Sequence, residues 1–250
     1  MSKNQKKVWV VGASSGIGRA VAEKFASNDW KVAVSARTKE VLEQMSKNPN
    51  IFSYPLDVTD QKQINNVFND IITEFGDLDL CIFSSGTYDP KDESKIDTDK
   101  IKNVIKVNFF GVVDCVKTIE DYFKNKKSGH ISIVSSIAGY RGLPNSSGYG
   151  PSKAALTNFA ESIYFDFKKF NVRVSVVSPG FIKTPLTDKN EFDMPFLRSP
   201  EYAADKVYKG LVNSNSFEIH FPKQLTLTLK FLRILPYKIY LFLVDKLVKR

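Results

Sequence analysis

Cysteine is scarce in this sequence. Its only two cysteines, Cys81 and Cys115, both lie in apolar surroundings and lack the spacing of metal ligands. Two cysteines also do not suggest the disulfide framework of a small secreted domain. The sequence therefore favours a reducing cytosol over an oxidising compartment, and it predicts no metal site.

Long apolar runs are also missing. No window of about eighteen residues is both apolar and uncharged, so the sequence predicts no membrane-spanning helix. The basic residues 1–7 look like the start of a signal peptide, but the apolar run 8–11 is too short for its central region and leads directly into Gly12. We interpret this run as the first buried strand of a cytoplasmic protein.

The composition is otherwise that of a globular protein with an excess of positive charge. Of 250 residues, 42% are hydrophobic and 25% are charged, and the formal net charge is +9. This length accommodates one well-buried α/β domain, and no linker divides the chain. The charge would suit nucleic acid, an anionic membrane surface or a phosphorylated small molecule. Because it is spread along the chain without a nucleic-acid motif, we expect no nucleic-acid partner.

Short runs of β-branched residues alternate with helical patterns from the start of the chain. This alternation predicts βαβ units and therefore an α/β fold, a single domain with a doubly wound parallel sheet of the Rossmann type. The strands are predicted at residues 7–11, 31–36, 51–56, 80–83, 130–134, 172–177 and 216–221. We assign residues 1–222 to this domain and residues 223–250 to a C-terminal helical extension.

Helices are predicted between the strands. Asp60 is the predicted N-cap of a helix whose apolar residues have core spacing. One long helix is predicted to include residues 101–112, after a polar surface loop at 88–99. Another is predicted to begin near Tyr149 and to hold Pro151 in its first turn, where the missing N–H does least harm.

Three glycines, Gly12, Gly16 and Gly18, follow the first strand. A glycine loop between a strand and a helix lets the backbone approach a pyrophosphate, which then rests at the positive end of the helix. An ordinary tight turn would also use glycines. Their position in the first βαβ unit favours nucleotide binding.

The residues after the second and third strands predict the cofactor. An NAD site would offer Asp or Glu to the ribose hydroxyls after the second strand, but this chain has Arg37, which can pair with a 2′-phosphate. The sequence therefore predicts NADP(H). Asp57, at the end of the third strand, either accepts a bond from the adenine amino group or caps the next turn.

Tyr149 and Lys153 are four residues apart, so on a helix they share one face. A free phenol has a pKa of about 10, too high for acid–base work near neutral pH. We expect the nearby ammonium to lower it. Ser136, at the preceding strand end, is placed to hold a substrate oxygen against the phenol. The three residues predict proton transfer to or from a carbonyl or alcohol oxygen, although such a pair also occurs by chance on helix surfaces.

Together these residues resemble the short-chain dehydrogenase/reductase family, in its short single-domain branch. The resemblance runs from the first strand to Thr184, and its most specific parts are residues 12–18, Asn108, Ser136, residues 149–153 and residues 179–184. It implies that Tyr149 is the general acid/base and that Lys153 lowers the pKa of Tyr149 and binds the nicotinamide ribose. It also implies that Ser136 orients the carbonyl.

The resemblance further implies that Asn108 holds a proton-relaying water, although Asn108 could equally be a buried helix residue. The implied cofactor-binding residues are Gly12, Ser14, Ser15, Gly16, Ile17, Gly18, Arg37, Thr38, Asp57, Val58, Ser84, Gly86, Tyr149, Lys153, Pro179, Gly180, Ile182 and Thr184. Ile182 and Thr184 would contact the nicotinamide end. The family also commonly forms dimers or tetramers, so we expect a homo-oligomer.

Two departures from the family pattern concern the cofactor wall. Val11 stands where the family usually has Thr, and residues 83–86 read Phe-Ser-Ser-Gly where the family has Asn-Asn-Ala-Gly. These changes affect loop bracing more than chemistry.

Two other functions fit parts of the sequence. Residues 12–16 match the G-x-S-x-G elbow of serine hydrolases, but only one predicted strand precedes them, and His130 and His220 lie in or near predicted strands. A non-catalytic dinucleotide-binding scaffold or sensor is the second alternative. Such a protein would have no need of the intact Ser136, Tyr149 and Lys153.

The C-terminal third carries two apolar segments. The loop at residues 185–198 has the length of a lid, and its apolar residues either favour an apolar substrate or pack on the sheet. Residues 223–250 mix leucines and aromatics with lysine and arginine and are interrupted by Pro236. This tail could lie in a membrane interface against anionic headgroups, pack on a second subunit or cover the substrate pocket.

Overall fold

The computed structural model describes residues 5–88 and 96–247. Its seven-stranded parallel sheet has the strand order β3-β2-β1-β4-β5-β6-β7. The strands are β1 Lys7–Val11, β2 Lys31–Ser35, β3 Ile51–Ser53, β4 Leu80–Phe83, β5 Gly129–Val134, β6 Val172–Pro179 and β7 Glu218–Phe221. The predicted doubly wound sheet is confirmed, and the order reverses between β1 and β4.

The helices cover both faces of the sheet. They are α1 Gly16–Ala26, α2 Lys39–Met45, α3 Gln61–Phe75, α4 Thr98–Ile105, α5 Gly111–Lys126, α6 Tyr149–Lys168, α7 Pro200–Asn213, α8 Lys223–Ile234 and α9 Tyr237–Leu247. One core contains side chains from α1, α2 and α7, and the other contains side chains from α3, α5 and α6. Two apolar cores of this kind are what a parallel sheet covered on both sides requires.

Strand β1 shows why the sequence folds in this way. Trp9 and Val11 are buried in one core, while Val8 and Val10 are buried in the other. Because side chains alternate between the two faces of a strand, an unbroken apolar run is the signature of burial on both sides. The indole N–H of Trp9 donates to the Ser35 hydroxyl at 2.9 Å, so the buried polar group is satisfied.

The predicted N-cap of α3 is confirmed. The Asp60 carboxylate accepts hydrogen bonds from the backbone N–H groups of Lys62 and Gln63, at 2.9 and 3.1 Å. The apolar residues predicted on this helix are all buried. The helix ends at Gly76, whose φ of 72° is the left-handed conformation that glycine adopts most easily.

The long helix predicted to include residues 101–112 is present, but it contains a π-helical turn. Helix α4 ends at Ile105, a π-helical turn occupies Lys106–Phe110, and α5 begins at Gly111. The extra residue of a π-helical turn redirects the side chains within it. Here Asn108 lies in the turn and is fully buried, and its amide binds the backbone of Thr87.

Other differences concern element ends. Strand β3 stops at Ser53, short of the predicted residue 56, and β7 starts at Glu218 instead of residue 216. Helix α4 begins inside the predicted polar loop 88–99, capped by Asp97, and residues 89–95 of that loop lie outside the described residues. The extension forms α8 and α9, interrupted at Pro236 as predicted. In the described part of the chain, no helix has both the length and the apolar character needed to cross a bilayer.

Candidate active site

A cleft of about 390 Å³ opens at the carboxyl edge of the sheet. The chain enters it after each of β1 to β6, and the point where the strand order reverses lies at its base. Such a crevice is where open α/β sheets bind their ligands. Every site residue predicted above lines this cleft, except Asn108.

The glycine loop is shaped by close backbone contacts. Gly12 has a φ of 87°, and a Cβ there would lie 2.5 Å from the backbone nitrogen of Ser85. A Cβ on Gly18 would lie 2.2 Å from the carbonyl oxygen of Gly12. Both positions therefore require glycine, and the loop lies directly against the start of α1.

The N-terminus of α1 faces the cleft. Residues 14–18 line it, and the extended N-cap residue Ser15 makes no side-chain cap to the described residues. The first N–H groups of an α-helix have no intrahelical acceptors, and they lie at the positive end of the helix dipole. This arrangement suits a phosphate group, as predicted for the glycine loop.

Arg37 and Asp57 lie at the rim of the cleft, where the adenosine half of a dinucleotide would lie. Arg37 is exposed and makes no hydrogen bond or ion pair with any other residue that the structure describes. One carboxylate oxygen of Asp57 accepts bonds from the N–H and the hydroxyl of Thr59, both at 2.9 Å. Asp57 thus caps the next turn, which was one of its two predicted roles.

Lys153 is buried below the cleft, with 4% of its surface exposed. Its ammonium donates to the carbonyl of Val134, the last residue of β5, at 2.9 Å, and its Nζ lies 5.6 Å from the centre of the Tyr149 ring. Burial lowers the pKa of Lys153 to about 8. The lysine is therefore poised to change its charge near neutral pH.

Ser136 and Tyr149 meet across the mouth of the cleft. The Ser136 side chain lies close enough to the Tyr149 phenol to lower its pKa, and its hydroxyl accepts a hydrogen bond from the N–H of Ala138 at 3.1 Å. The neighbouring Ser135 hydroxyl donates to the Lys153 carbonyl at 2.8 Å. The end of β5 is thus tied to the first turns of α6, which fixes the three predicted catalytic side chains relative to one another.

The pKa of Tyr149 differs from the sequence expectation. Burial raises the pKa of this phenol, and the nearby Ser136 side chain opposes the rise. In this structure the phenol is therefore protonated at neutral pH.

Asn108 is placed differently from the other predicted residues. Its side-chain oxygen accepts from the N–H of Thr87 at 2.7 Å, and its amide nitrogen donates to the Thr87 carbonyl and to the Ser152 hydroxyl, at 3.0 and 3.1 Å. The side chain braces the loop after β4 against α6. Its implied part in a proton relay stays a prediction.

Sequence reasoning missed two residues beside the phenol. The ring of Tyr88 lies 4.8 Å from the ring of Tyr149, and Lys189 donates to the Tyr88 carbonyl at 3.3 Å. Lys189 also lines the cleft. Tyr88 belongs to a stretch that reads as a polar loop, so only its aromatic character hinted at a role.

The geometry does not favour the hydrolase alternative. His130 is buried, with its Nε2 2.8 Å from the Ser175 hydroxyl, and His220 contacts Thr226 through Nδ1 at 2.7 Å. Neither histidine belongs to the lining of the cleft in the described residues, so Ser14 has no histidine there to act as its base.

Replacing Lys153 with Met is expected to change how stability depends on pH. A lysine titrates near 10.4 in an unfolded chain but at about 8 in this site, so between these values the unfolded chain binds more protons. The unfolding free energy of the wild type should therefore rise relative to Lys153→Met, by up to about 3 kcal/mol between pH 7 and 10.5. Urea titrations at several pH values measure this, with Lys47→Met as the exposed control. If the difference in unfolding free energy between wild type and Lys153→Met did not change with pH, the pKa of Lys153 would not be lowered in the folded protein.

Known proteins resemble this chain in sequence and in fold. Residues 6–194 match the family described as short chain dehydrogenase. An uncharacterized oxidoreductase of Myxococcus xanthus is 32% identical to this chain over 232 residues, which cover 91% of each protein. A short-chain dehydrogenase structure from Streptomyces avermitilis aligns with a TM-score of 0.84 and 22% identity, over 98% of each chain.

Similar solved structures hold nicotinamide dinucleotides of both kinds. The structure of ElxO with NADP bound aligns with a TM-score of 0.76 and 27% identity, over 86% of this chain and 97% of that one. A short chain dehydrogenase/reductase from Burkholderia phymatum in complex with NAD aligns with a TM-score of 0.78 and 20% identity, over 90% and 92% of the two chains. The family match, the relative and the shared fold show that this chain belongs to the short-chain dehydrogenase/reductase family of NAD(P)-dependent oxidoreductases.

Proposed function

We propose that this chain interconverts a carbonyl and an alcohol with NADP(H), on an apolar small molecule or lipid-like substrate. The observation that carries the proposal is that Ser136 and Tyr149 lie together beside the ammonium of Lys153, in the cleft that the glycine loop enters. A dinucleotide laid from that loop along the sheet edge would bring its nicotinamide to this pair.

The protonated phenol favours carbonyl reduction as the working direction. NADPH, when bound, supplies the hydride for the carbonyl carbon. Tyr149 gives its proton to the carbonyl oxygen, while the Ser136 hydroxyl holds that oxygen in place. The positive charge of Lys153, whose Nζ lies 5.6 Å from the centre of the Tyr149 ring, stabilises the phenolate that this transfer leaves.

The nature of the substrate is proposed from the apolar groups beside this pair. The cleft that holds Ser136 and Tyr149 is also lined by the apolar side chains of Val107 and Ile182, and by Pro185 and Leu186 of the predicted lid loop. Such a lining favours an apolar molecule next to the phenol.

The choice of NADP(H) over NAD(H) rests on Arg37. Its guanidinium is exposed at the rim of the cleft and is not engaged by the described residues, so it is available for a 2′-phosphate. Arg37→Asp should lower the ratio of kcat/KM for NADPH to that for NADH by about a hundredfold, since it turns an attraction into a repulsion.

The neighbouring Lys39 offers a matched control for that measurement. It is also an exposed cation at the start of α2, but it pairs with Glu43 at 3.6 Å. We expect Lys39→Asp to leave the ratio almost unchanged. If Arg37→Asp behaved like Lys39→Asp, the phosphate would have to bind elsewhere.

A screen of carbonyl compounds tests the activity itself. The purified full chain is mixed with NADPH and with aldehydes, ketones, steroids or acyl-chain carbonyls, and the loss of NADPH absorbance is followed. We expect turnover with at least one apolar class and formation of the matching alcohol. Tight NADPH binding without turnover of any class would favour the non-catalytic scaffold instead.

We also propose that the chain forms a homo-oligomer. Phe110, at the end of the π-helical turn, is 53% exposed, and Phe165 on α6 is 66% exposed. Large apolar side chains at the surface are typical of contact sites between proteins.

A further inference from the structure

The C-terminal hairpin, residues 223–247, exposes many large apolar side chains. The large apolar side chains that are between 48% and 76% exposed are Leu227, Phe231, Ile234, Tyr237, Ile239, Leu241 and Phe242. Single exposed apolar residues are normal on soluble proteins, but this many on one short segment mark a contact site.

On α8 the exposed residues form a regular stripe. Leu227, Phe231 and Ile234 follow one another at intervals of four and three residues, which places them on one helix face. The helix is held to the protein through other positions, including Leu225 and Leu232, which are both buried. Thus α8 is apolar on its inner side and also on its outer side.

Helix α9 packs against α8 through only one narrow face. Tyr240 and Val244 are buried against Leu232 of α8, whereas the intervening Leu241 and Phe242 are exposed. Packing inside the domain therefore does not account for most of the apolar residues of α9.

The hairpin is nonetheless held firmly, by Arg141. The guanidinium of Arg141 donates to the carbonyls of Leu232, Arg233 and Leu235 at 2.8 to 3.1 Å. It also lies 4.0 Å from the centre of the Tyr240 ring and 4.5 Å from that of Tyr237. Because Arg141 belongs to the segment between Ser136 and Tyr149, the hairpin is fixed to the catalytic part of the molecule.

The charge of the hairpin narrows the choice of partner. Residues 223–247 contain five cations and a single acid, Asp245; the cations are Lys223, Lys230, Arg233, Lys238 and Lys246. Only Lys230 has an ion pair with a described residue outside the hairpin, Glu218. In a symmetric contact with a second copy the same cations would face one another, which is unfavourable. An anionic surface with an apolar interior matches both the charge and the exposed side chains.

We propose that the hairpin binds the surface of a phospholipid membrane that carries anionic headgroups. Its exposed apolar side chains enter the headgroup boundary, and its lysines and arginines contact the phosphates. The hairpin lies in the interface and does not cross the membrane. This inference does not depend on the proposed activity, since it concerns residues outside the cleft.

Co-sedimentation of the full chain with vesicles tests the proposal. Vesicles of phosphatidylcholine alone are compared with vesicles that also contain phosphatidylglycerol. We expect the wild type to bind the anionic vesicles at least about tenfold more tightly than the neutral ones, and to lose this preference at high salt. Equal partition into both kinds of vesicle, or no binding to the anionic ones, would overturn the proposal.

Two pairs of surface substitutions locate the contact. Phe231→Ser with Phe242→Ser removes apolar side chains, and Arg233→Glu with Lys238→Glu reverses two charges. We expect each double variant to weaken binding to anionic vesicles by about tenfold or more. All four side chains are exposed, so thermal melting should show intact folding.

Matched controls come from surfaces far from the hairpin in the chain. Phe165→Ser removes an equally exposed ring from α6, and Lys47→Glu with Lys102→Glu gives the same change in net charge. These variants should bind as the wild type does. If hairpin and control variants lost binding equally, the interaction would be one of net charge alone and the proposal would be wrong.

The alternative that a second copy of the chain binds the hairpin is tested by measuring the oligomeric state in solution. Light scattering of the wild type and the Phe231→Ser, Phe242→Ser variant reports the mass of each. We expect the two masses to agree. Dissociation of a wild-type oligomer by these substitutions would mean that another subunit covers the hairpin, and it would overturn the membrane assignment.

Discussion

Replacing Tyr149 with Phe is expected to lower kcat about a thousandfold. The substitution removes the proton donor but keeps the ring, and a general acid contributes about a hundredfold to ten-thousandfold to such a step. Affinity for NADPH should change by less than about threefold, because the aromatic ring that lines the cleft remains. Steady-state NADPH oxidation and fluorescence titration of the cofactor give the two numbers.

Tyr88→Phe is the matched control for this experiment. Tyr88 is a second tyrosine whose ring contacts that of Tyr149, and its hydroxyl is 3.5 Å from the Asn145 carbonyl. Removing that hydroxyl leaves the Ser136 and Tyr149 pair intact, so kcat should stay within about threefold of the wild type. If Tyr149→Phe kept substantial turnover, or if both variants lost kcat equally, Tyr149 would not be the proton donor.

Replacing Gly18 with Ala should largely abolish cofactor binding. The added methyl would lie 2.2 Å from the Gly12 carbonyl oxygen and 2.9 Å from its carbonyl carbon, both of them backbone atoms. The loop must therefore move away from α1, which displaces the N–H groups that would hold the pyrophosphate. We expect the Kd for NADPH to rise at least about a hundredfold, with a loss of about 1–3 kcal/mol in unfolding free energy.

Gly142→Ala is the corresponding control. A Cβ at Gly142 meets no atom within 4 Å among the described residues, so the methyl is accommodated without strain. Calorimetric titration with NADPH and urea unfolding should both match the wild type for this variant. If Gly18→Ala bound NADPH as tightly as Gly142→Ala does, the loop after β1 would not be the pyrophosphate site.

Local sequence patterns were enough to predict most of the fold and the positions of most of the candidate site residues. The apolar runs at β1 and β4 predicted strands that are buried on both faces of the sheet. The three glycines at 12, 16 and 18 predicted the tight loop between β1 and α1. The interval between Tyr149 and Lys153 placed both at the cleft because that interval is one helical turn. These features depend on neighbours in the sequence.

What could not be predicted depends on contacts between distant parts of the chain. In the π-helical turn, the Asn108 side chain accepts a hydrogen bond from the backbone of Thr87, which lies 21 residues earlier in the chain. Local helix propensity does not predict such a turn. The raised pKa of Tyr149 follows from the burial of its phenol, which a four-residue interval in the sequence does not specify. The Arg141 contacts with the hairpin span more than ninety residues.

The structure of the NADPH complex tests the central claim most directly. We expect the nicotinamide to bind beside Ile182 and Tyr149, close enough to the phenol for one carbonyl group to contact both. The 2′-phosphate should meet Arg37 at the opposite end of the cleft. A nicotinamide bound at the Arg37 end, or turned away from the phenol, would contradict the account.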